Sequence, residues 1–530
     1  MQNNRLFSRQ VHLDHISKRI KDLKFGYRQN IAIIGDELVG KTSIIFKFLS
    51  SFCDNHVVPV YVEVRPETIE LFSKRFIGVL LYNFMSNSGL PLKEDLNYLI
   101  KCSAKYIPQT VNKINHILLN LKRKKYSAFP ELLGLCETIK QETGKSCVVI
   151  FDEFHNLETM GIKNLYQDWS KMLVTHKNTM YVIISSMKYR TKRVLSKELS
   201  LLFGNFELIN VEPFDVKTTE DYIESKLGTL PLKPGTKKLL VNFTAGFPFY
   251  LEVITQEIIK IPQADLADII EGLLFAPSGI LNQKFTNYLK RFMDCPNSPD
   301  YLAILYLISE GHNKLKDICH IMHKTKKELT LRINYLLELD AINRSADFLT
   351  ISDRVFTFWL KFVYKNKYQS LTFDDKNQVA IFKDKINEIM NDYIRVSHKP
   401  VIERITELLR SFEDDTMQLE ERKKLRLTRF REIKPLEFNG HSIKEGLIGR
   451  SGEGVWIMAL KHDLTTEEDI TDFAKECKKY HHKLQKKIIF TLKDIDSNAR
   501  LRALEEKIWT LDLNNLNLIF DMYSKPRIIA

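Results

Sequence analysis

Three observations predict an α/β fold built on a parallel sheet for the first part of this chain. Short, mostly apolar and largely β-branched runs at 31–34, 58–64, 147–151, 181–185 and 206–211 alternate with helical patterns. A glycine-containing loop joins the first run to a helical segment. The third run ends in two adjacent carboxylates. Runs of this kind suit strands buried on both faces with helices between them, which makes the sheet parallel.

The loop is Gly35-Asp36-Glu37-Leu38-Val39-Gly40-Lys41-Thr42, a complete G-x-x-x-x-G-K-[ST], between run 31–34 and a helical stretch at 43–52. Glycines let such a P-loop curl so that backbone N–H groups converge on phosphate oxygens at a helix N-terminus. Gly35, Gly40, Lys41, Thr42 and Ser43 are therefore the expected phosphate-binding residues, with Lys41 on the β- and γ-phosphates and Thr42 on Mg²⁺. The second half of the site is Val148-Val149-Ile150-Phe151-Asp152-Glu153. A buried strand ending in two acids delivers charge to the carboxyl edge of a parallel sheet, where the loop also lies. Asp152 is expected in the Mg²⁺ shell, and Glu153 is expected to orient or deprotonate the attacking water. ATP and Mg²⁺ are the implied ligands.

Beyond Asp215 the β signal fades, and 218–226 and 249–259 have helical spacing with polar faces. Residues 301–365 form a separate pattern of three helices (301–309, 315–322, 326–339) and a short extended pair (341–344, 348–351), the winged-helix order. In the final region, 401–412 reads as an amphipathic helix, 455–459 and 487–491 as strands, and 468–480 as a helix between them. The charged blocks near 413–431 read as an exposed connection, within which the apolar residues interleaved in the basic run 422–431 suggest a strand or helix face partly packed. The domain boundaries expected from this are 1–214 for a P-loop ATPase core, 215–298 for a helical lid, 299–368 for a winged helix and 369–530 for a smaller α/β domain.

Composition restricts the alternatives. With 44% hydrophobic and 27% charged residues the 530-residue chain is a folded, multidomain one. No apolar stretch approaches the roughly 20 residues of a membrane-spanning helix, and no apolar segment follows the N-terminal residues as in a secretory signal. The expected partners include no membrane and the expected location is cytoplasmic. The seven cysteines include no C-x-x-C pair and read as reduced thiols. Neither Cys319 with His320 and His323 nor Cys477 with His481 and His482 supplies four zinc ligands. The net charge of +13 is compatible with nucleic acid but is spread along the chain.

With these motifs placed, the chain resembles the archaeal-type ATPases of the STAND branch of AAA+-like P-loop proteins over roughly residues 5–365. Phe7-Ser8-Arg9 looks like that family's F-x-R box, so the resemblance implies Arg9 near the nucleotide base. Arg65, which ends the second run, also fits. Ser185-Ser186 stands at the polar sensor position, with Ser186 implied to feel the γ-phosphate. Gly246-Phe247-Pro248 matches the G-x-P signature of the helical lid and implies Pro248 beside the nucleotide, and Asp353-Arg354-Val355-Phe356-Thr357-Phe358-Trp359 resembles the segment after the wing. One departure is Gly204-Asn205 where members often have Gly-Arg, so low intrinsic turnover is expected unless Arg190, Lys192 or Arg193 substitutes.

In many relatives a restriction-endonuclease-like domain follows, and Trp509-Thr510-Leu511-Asp512-Leu513-Asn514-Asn515-Leu516-Asn517 resembles its end. The E-x-K expected on its strand reads Ala459-Leu460-Lys461, which implies a domain that does not cleave. Three functions follow as expectations: a nucleotide-driven switch, with a homo-oligomer or protein partner; an ATP-dependent DNA-binding protein similar to origin-recognition ATPases; and an ATP-gated nuclease. Duplex DNA would be met through Lys324, Lys326, Lys327, Arg332 and Arg344 of the winged helix, or through the basic run 422–431.

Overall fold

The computed structural model describes residues 7–121, 128–199, 206–230, 232–293, 295–365, 375–420, 423–438, 443–480 and 483–529. It divides into two compact units, residues 1–213 with 338–340, and residues 214–337 with 341–530. The Gly204-Asn205 pair, Arg422, His481 and His482 lie outside the described residues.

The first unit is built on β1 (Asn30–Ile34), β2 (Val57–Glu63), β3 (Ser146–Asp152), β4 (Thr179–Ser185) and β5 (Phe206–Asn210). They form one sheet in the order β2-β3-β4-β1-β5, every pair parallel. All residues of β1, β3 and β4 are buried, as strands covered by helices on both faces must be. The five expected runs thus form the expected α/β sheet. The order matters more than the count, because β4 lies between the loop-bearing β1 and the acid-bearing β3. Ile34 pairs with Ser185, and Glu63 with Asp152, so the carboxyl ends of four strands share one edge.

Aromatic packing holds that edge from below. Phe151, the residue before Asp152, meets Trp169 edge-on at 5.6 Å and lies 6.1 Å from Phe129, and all three are fully buried. Such edge-to-face pairs add about 0.5–1.5 kcal/mol beyond their buried area. The acids after Phe151 therefore follow directly on a buried aromatic cluster.

The second unit starts with five helices, Val216–Leu227, Thr236–Thr244, Pro248–Lys260, Leu266–Leu274 and Ile280–Met293. Three more, Ser298–Ser309, Leu315–Met322 and Lys326–Glu338, precede a hairpin of β6 (Asn343–Ser345) and β7 (Phe348–Thr350). After the helices Arg354–Trp359, Asp375–Ser397 and Val401–Leu409 the chain turns to β structure. A hairpin of β8 (Asp415–Glu420) and β9 (Lys423–Leu427) leads into a five-stranded mixed sheet. Its strands are β10 (Phe430–Glu437), β11 (Glu445–Ser451), β12 (Val455–Lys461), β13 (Leu484–Thr491) and β14 (Trp509–Asp512), in chain order. The first two pairings are antiparallel and the last two parallel, with helix Glu467–Lys478 between β12 and β13.

One expectation is corrected here. Residues 413–431 are not an exposed connection: Met417, Leu425 and Leu427 of the β8–β9 hairpin are buried in one core with Ile405 and Leu408. Leu425 and Leu427 alternate with Lys424 and Arg426, so the charges occupy the outer face of a strand whose inner face is apolar. Among the described residues no helix is long and apolar enough to cross a membrane, and all seven cysteines are free thiols.

Candidate active site

The loop between β1 and helix Lys41–Ser51 is shaped by its glycines. A Cβ on Gly35 would lie 2.2 Å from the carbonyl oxygen of Val211, so only glycine lets the chain leave β1 beside the segment that follows β5. Gly40 caps the helix at φ +91°, a left-handed conformation that turns the chain into Lys41. Arg9, buried at 7% exposure, ties the same region together: its Nη2 donates to Val39 O at 3.1 Å and to Glu212 O at 2.6 Å. The arginine expected near a base is here bonded to the backbone of the P-loop.

Lys41 is buried, and its ammonium donates to Gly35 O at 3.0 Å and Asp36 O at 2.7 Å. Burial lowers its pKa below the ordinary lysine value, opposed by the charges of Glu153, Asp36, Asp152 and Glu37. Thr42, on the first turn of the helix, donates from Oγ1 to Asp152 Oδ2 at 2.8 Å. The expected Mg²⁺ pair is thus in direct contact, with the hydroxyl and the carboxylate facing one another as a shared metal shell requires. Ser43 is exposed next to them on the same helix turn.

Glu153 sits just past the end of β3 in the left-handed region, φ 50° and ψ 43°. For a non-glycine residue this is a strained geometry that persists only where the surroundings hold it. Three contacts do so. Its backbone N–H donates to Asp152 Oδ1 at 2.9 Å, Ser186 Oγ donates to its Oε2 at 3.0 Å, and His155 Nδ1 lies 3.4 Å from that same oxygen. His155 is also 3.2 Å from Ser185 Oγ. Burial raises the Glu153 carboxyl above the ordinary glutamate value, and the neighbouring Asp152 adds to it, while Ser186 and Lys41 oppose. A carboxylate pushed in that direction is a better base.

Gly35, Gly40, Lys41, Thr42, Ser43, Asp152, Glu153, Ser186 and Arg9 therefore cluster in the first unit. Pro248 belongs to the second unit, at the start of helix Pro248–Lys260. There Gly246, at φ +80°, accepts the N–H of Phe214 on its carbonyl at 2.9 Å. Arg65 is exposed and paired with Glu63 at 2.7 Å, and Arg190 is ion-paired with Glu158.

Sequence reasoning missed three residues. Tyr61 of β2 donates its hydroxyl to Asp152 Oδ2 at 2.8 Å. His155 backs Glu153, and Lys188 is paired with Asp36 of the loop at 2.7 Å. The position of Tyr61 near the end of a strand was a signal, but only the pairing of β2 with β3 makes it a neighbour of Asp152.

No family model matches the chain, and no curated protein matches it. Among solved structures it is similar to the Walker-type ATPase PABY2304 of Pyrococcus abyssi, at 19% identity and TM-score 0.47, over 67% of this chain and 96% of that one. The Aeropyrum pernix ORC2 protein, in its ADPNP–ADP complexes, is similar at 11% identity and TM-score 0.39, over 70% and 98%. The A. pernix ORC1 protein in complex with DNA is similar at 13% identity and TM-score 0.34, over 68% and 93%. The functional reading is carried by the loop and its carboxylates, not by these likenesses.

Proposed function

We propose that the first unit binds ATP at the loop from Gly35 to Thr42 and hydrolyses it slowly, as a switch of the archaeal-type STAND kind. The observation that carries this reading is the 2.8 Å contact of Thr42 Oγ1 with Asp152 Oδ2, beside a buried Lys41 whose ammonium donates to the loop carbonyls of Gly35 and Asp36. Phosphate oxygens would replace those carbonyls as the lysine's acceptors. Thr42 and Asp152 would hold Mg²⁺, which when bound supplies charge neutralisation at the phosphoryl group. Glu153, held by Ser186, would orient a water and take its proton. The neutral Asn205 in place of an arginine supports low intrinsic turnover.

We read residues 299–368 as a winged helix that serves as a joint. Phe348 of its hairpin is buried in the core of the C-terminal sheet, and Ser345 and Gln418 exchange hydrogen bonds of 3.1 and 2.9 Å between the two hairpins. Of the expected DNA-facing cations, Lys324 and Arg332 are both paired with Asp300, at 2.7 and 3.3 Å. These contacts favour a packing role over duplex DNA. We read the C-terminal sheet as an endonuclease-like domain that does not cleave. Lys461, the surviving residue of the nuclease pattern, is engaged by buried Asp469 at 3.0 Å, and Asp469 in turn caps helix Glu467–Lys478. Ala459 stands buried where a metal-binding acid is needed.

The deciding experiment measures ATP binding and turnover for the wild type, Lys41→Ala and Glu153→Gln, with and without duplex DNA. Binding lost in the first variant, and turnover lost with binding kept in the second, is the expected result. A wild type that binds no ATP, or binding indifferent to Lys41, overturns the reading. Stimulation by DNA would favour the DNA-binding alternative, and Mg²⁺-dependent cutting lost in Lys461→Ala would favour a nuclease.

A further inference from the structure

Two lysines of the C-terminal sheet region are answered by acids: Lys461 by Asp469 and Lys493 by Asp463, each at 3.0 Å. Lys486 of β13 is different. Among the described residues its ammonium has no carboxylate partner, and its hydrogen bond goes to the main-chain oxygen of Arg426 in β9, at 2.9 Å. The rest of its surroundings are aromatic. Its Nζ lies 4.3 Å from the ring centre of Trp456 and 5.4 Å from that of Trp509.

The strand register builds this setting. Trp456 of β12 is the partner of Lys486 across their parallel pairing, and Trp509 opens β14 opposite Ile488, two residues further along β13. Residues two apart share a face of a sheet, so both indoles stand on the side of Lys486. Trp456 is fully buried, and its Nε1 donates to Gln485 Oε1 at 2.8 Å. The charged groups that face the amine are Arg426 and Glu453, which pair with one another at 2.8 Å. Burial and then the Arg426 cation hold the pKa of Lys486 down to about 8, with Glu453 opposing. The indole faces attract the ammonium, which moderates that lowering without reversing it. At pH 7 about a tenth of Lys486 is therefore free amine, against under about a thousandth of an ordinary lysine.

We propose that Lys486 is a modification site, N-acylated by an acyl thioester, because its amine is surrounded by indole faces and a carbonyl where other lysines of this region have an acid. In the step, the Nζ lone pair bonds to the acyl carbon and the carbon–sulfur bond breaks. The thiolate leaves with that bond's electron pair and takes the proton that the nitrogen sheds. The side chain is only half-buried, so the amine stays open to a donor in solution. The product suits the site better than the ammonium does. A secondary amide keeps one N–H, enough for the Arg426 carbonyl, and carries no charge to be desolvated beside the Arg426 guanidinium. A methyl group would leave that charge in place.

The test incubates the full chain with limiting acetyl-coenzyme A across a pH series and reads acetylation of each lysine by peptide mass spectrometry. At pH 7 Lys486 should take up the acetyl group roughly 10-fold or more faster than the exposed Lys493. Its rate should level off above about pH 8, while that of Lys493 keeps climbing toward the ordinary lysine range. Arg426→Gln removes an exposed cation and leaves the main-chain carbonyl in place. It should move the plateau to higher pH and slow Lys486 at pH 7 by roughly threefold. Equal rates for Lys486 and Lys493 at pH 7, a Lys486 that stays unmodified while other lysines react, or a plateau unmoved by Arg426→Gln would each overturn the proposal.

Discussion

Asp152 has both carboxylate oxygens engaged: Oδ2 accepts from Thr42 and Tyr61, and Oδ1 from the N–H of Glu153. A metal ion must compete with those donors for lone pairs. Burial, then the charge of Asp152, raises the Tyr61 hydroxyl pKa, so it stays protonated and remains a donor. Tyr61→Phe should therefore shift the Mg²⁺ concentration for half-maximal turnover downward by roughly 3–10-fold, the worth of one hydrogen bond, with metal-free ATP affinity unchanged. An unchanged Mg²⁺ titration would mean that Tyr61 is only packing. Glu153 gives a second expectation. As a base it acts when deprotonated, so turnover should hold at high pH and fall as pH drops through its raised pKa, above where an ordinary glutamate titrates. Glu153→Gln should lose about 10²–10⁴ in rate together with that acid limb, read from pH–rate profiles of both proteins.

At the scale of elements, helix Arg354–Trp359 shows a cap in conflict with its setting. Asp353 accepts the N–H of Phe356 at 2.9 Å and the hydroxyl of Tyr250, yet burial raises its carboxyl from 3.8 to about 6. The folded state thus binds this proton more tightly than the unfolded one. Its contribution is fully present below the unfolded value, near pH 3.8, and is lost as pH rises through about 6. Asp353→Asn keeps the cap oxygen without the charge, so it should flatten that fall in urea-melt stability between pH ~4 and ~6. An equally steep fall in the variant would assign it to another group. The elements also mark what was legible in advance. The five parallel strands could be read because burial on both faces leaves unbroken apolar runs. The β8–β9 hairpin was legible only in part: the apolar residues interleaved in 422–431 mark a partly packed strand or helix face, but the charged blocks around them read as an exposed connection, and the partner strand is not announced.

For the whole chain, the second unit is closed on itself by its last residues. Arg354 donates to Asn242 O and Oδ1 at 3.1 and 2.6 Å and is ion-paired with Asp521, which also holds Arg527 at 2.8 Å. Arg404 donates to the carbonyls of Pro526 and Arg527, and Asn517 and Ile528 exchange two hydrogen bonds. Helix Thr236–Thr244, the segment after the β6–β7 hairpin and the C-terminal sheet region are joined by this network. Arg354→Ala should cost about 1–3 kcal/mol and open residues 517–528 to hydrogen exchange, leaving ATP binding intact. A protected tail in that variant would show that the clasp lies elsewhere.

What the sequence by itself determined is local: a loop with its glycines, lysine and threonine, two acids at a strand end, and the strands whose apolar runs bracket them. These are properties of consecutive residues, set by backbone freedom and burial period. Tyr61 on Asp152, His155 against Ser185 and Lys188 on Asp36 were decided only by the tertiary structure. Their partners come from other strands and loops, and the order β2-β3-β4-β1-β5, which brings them together, is a property of the whole sheet and not of any one segment.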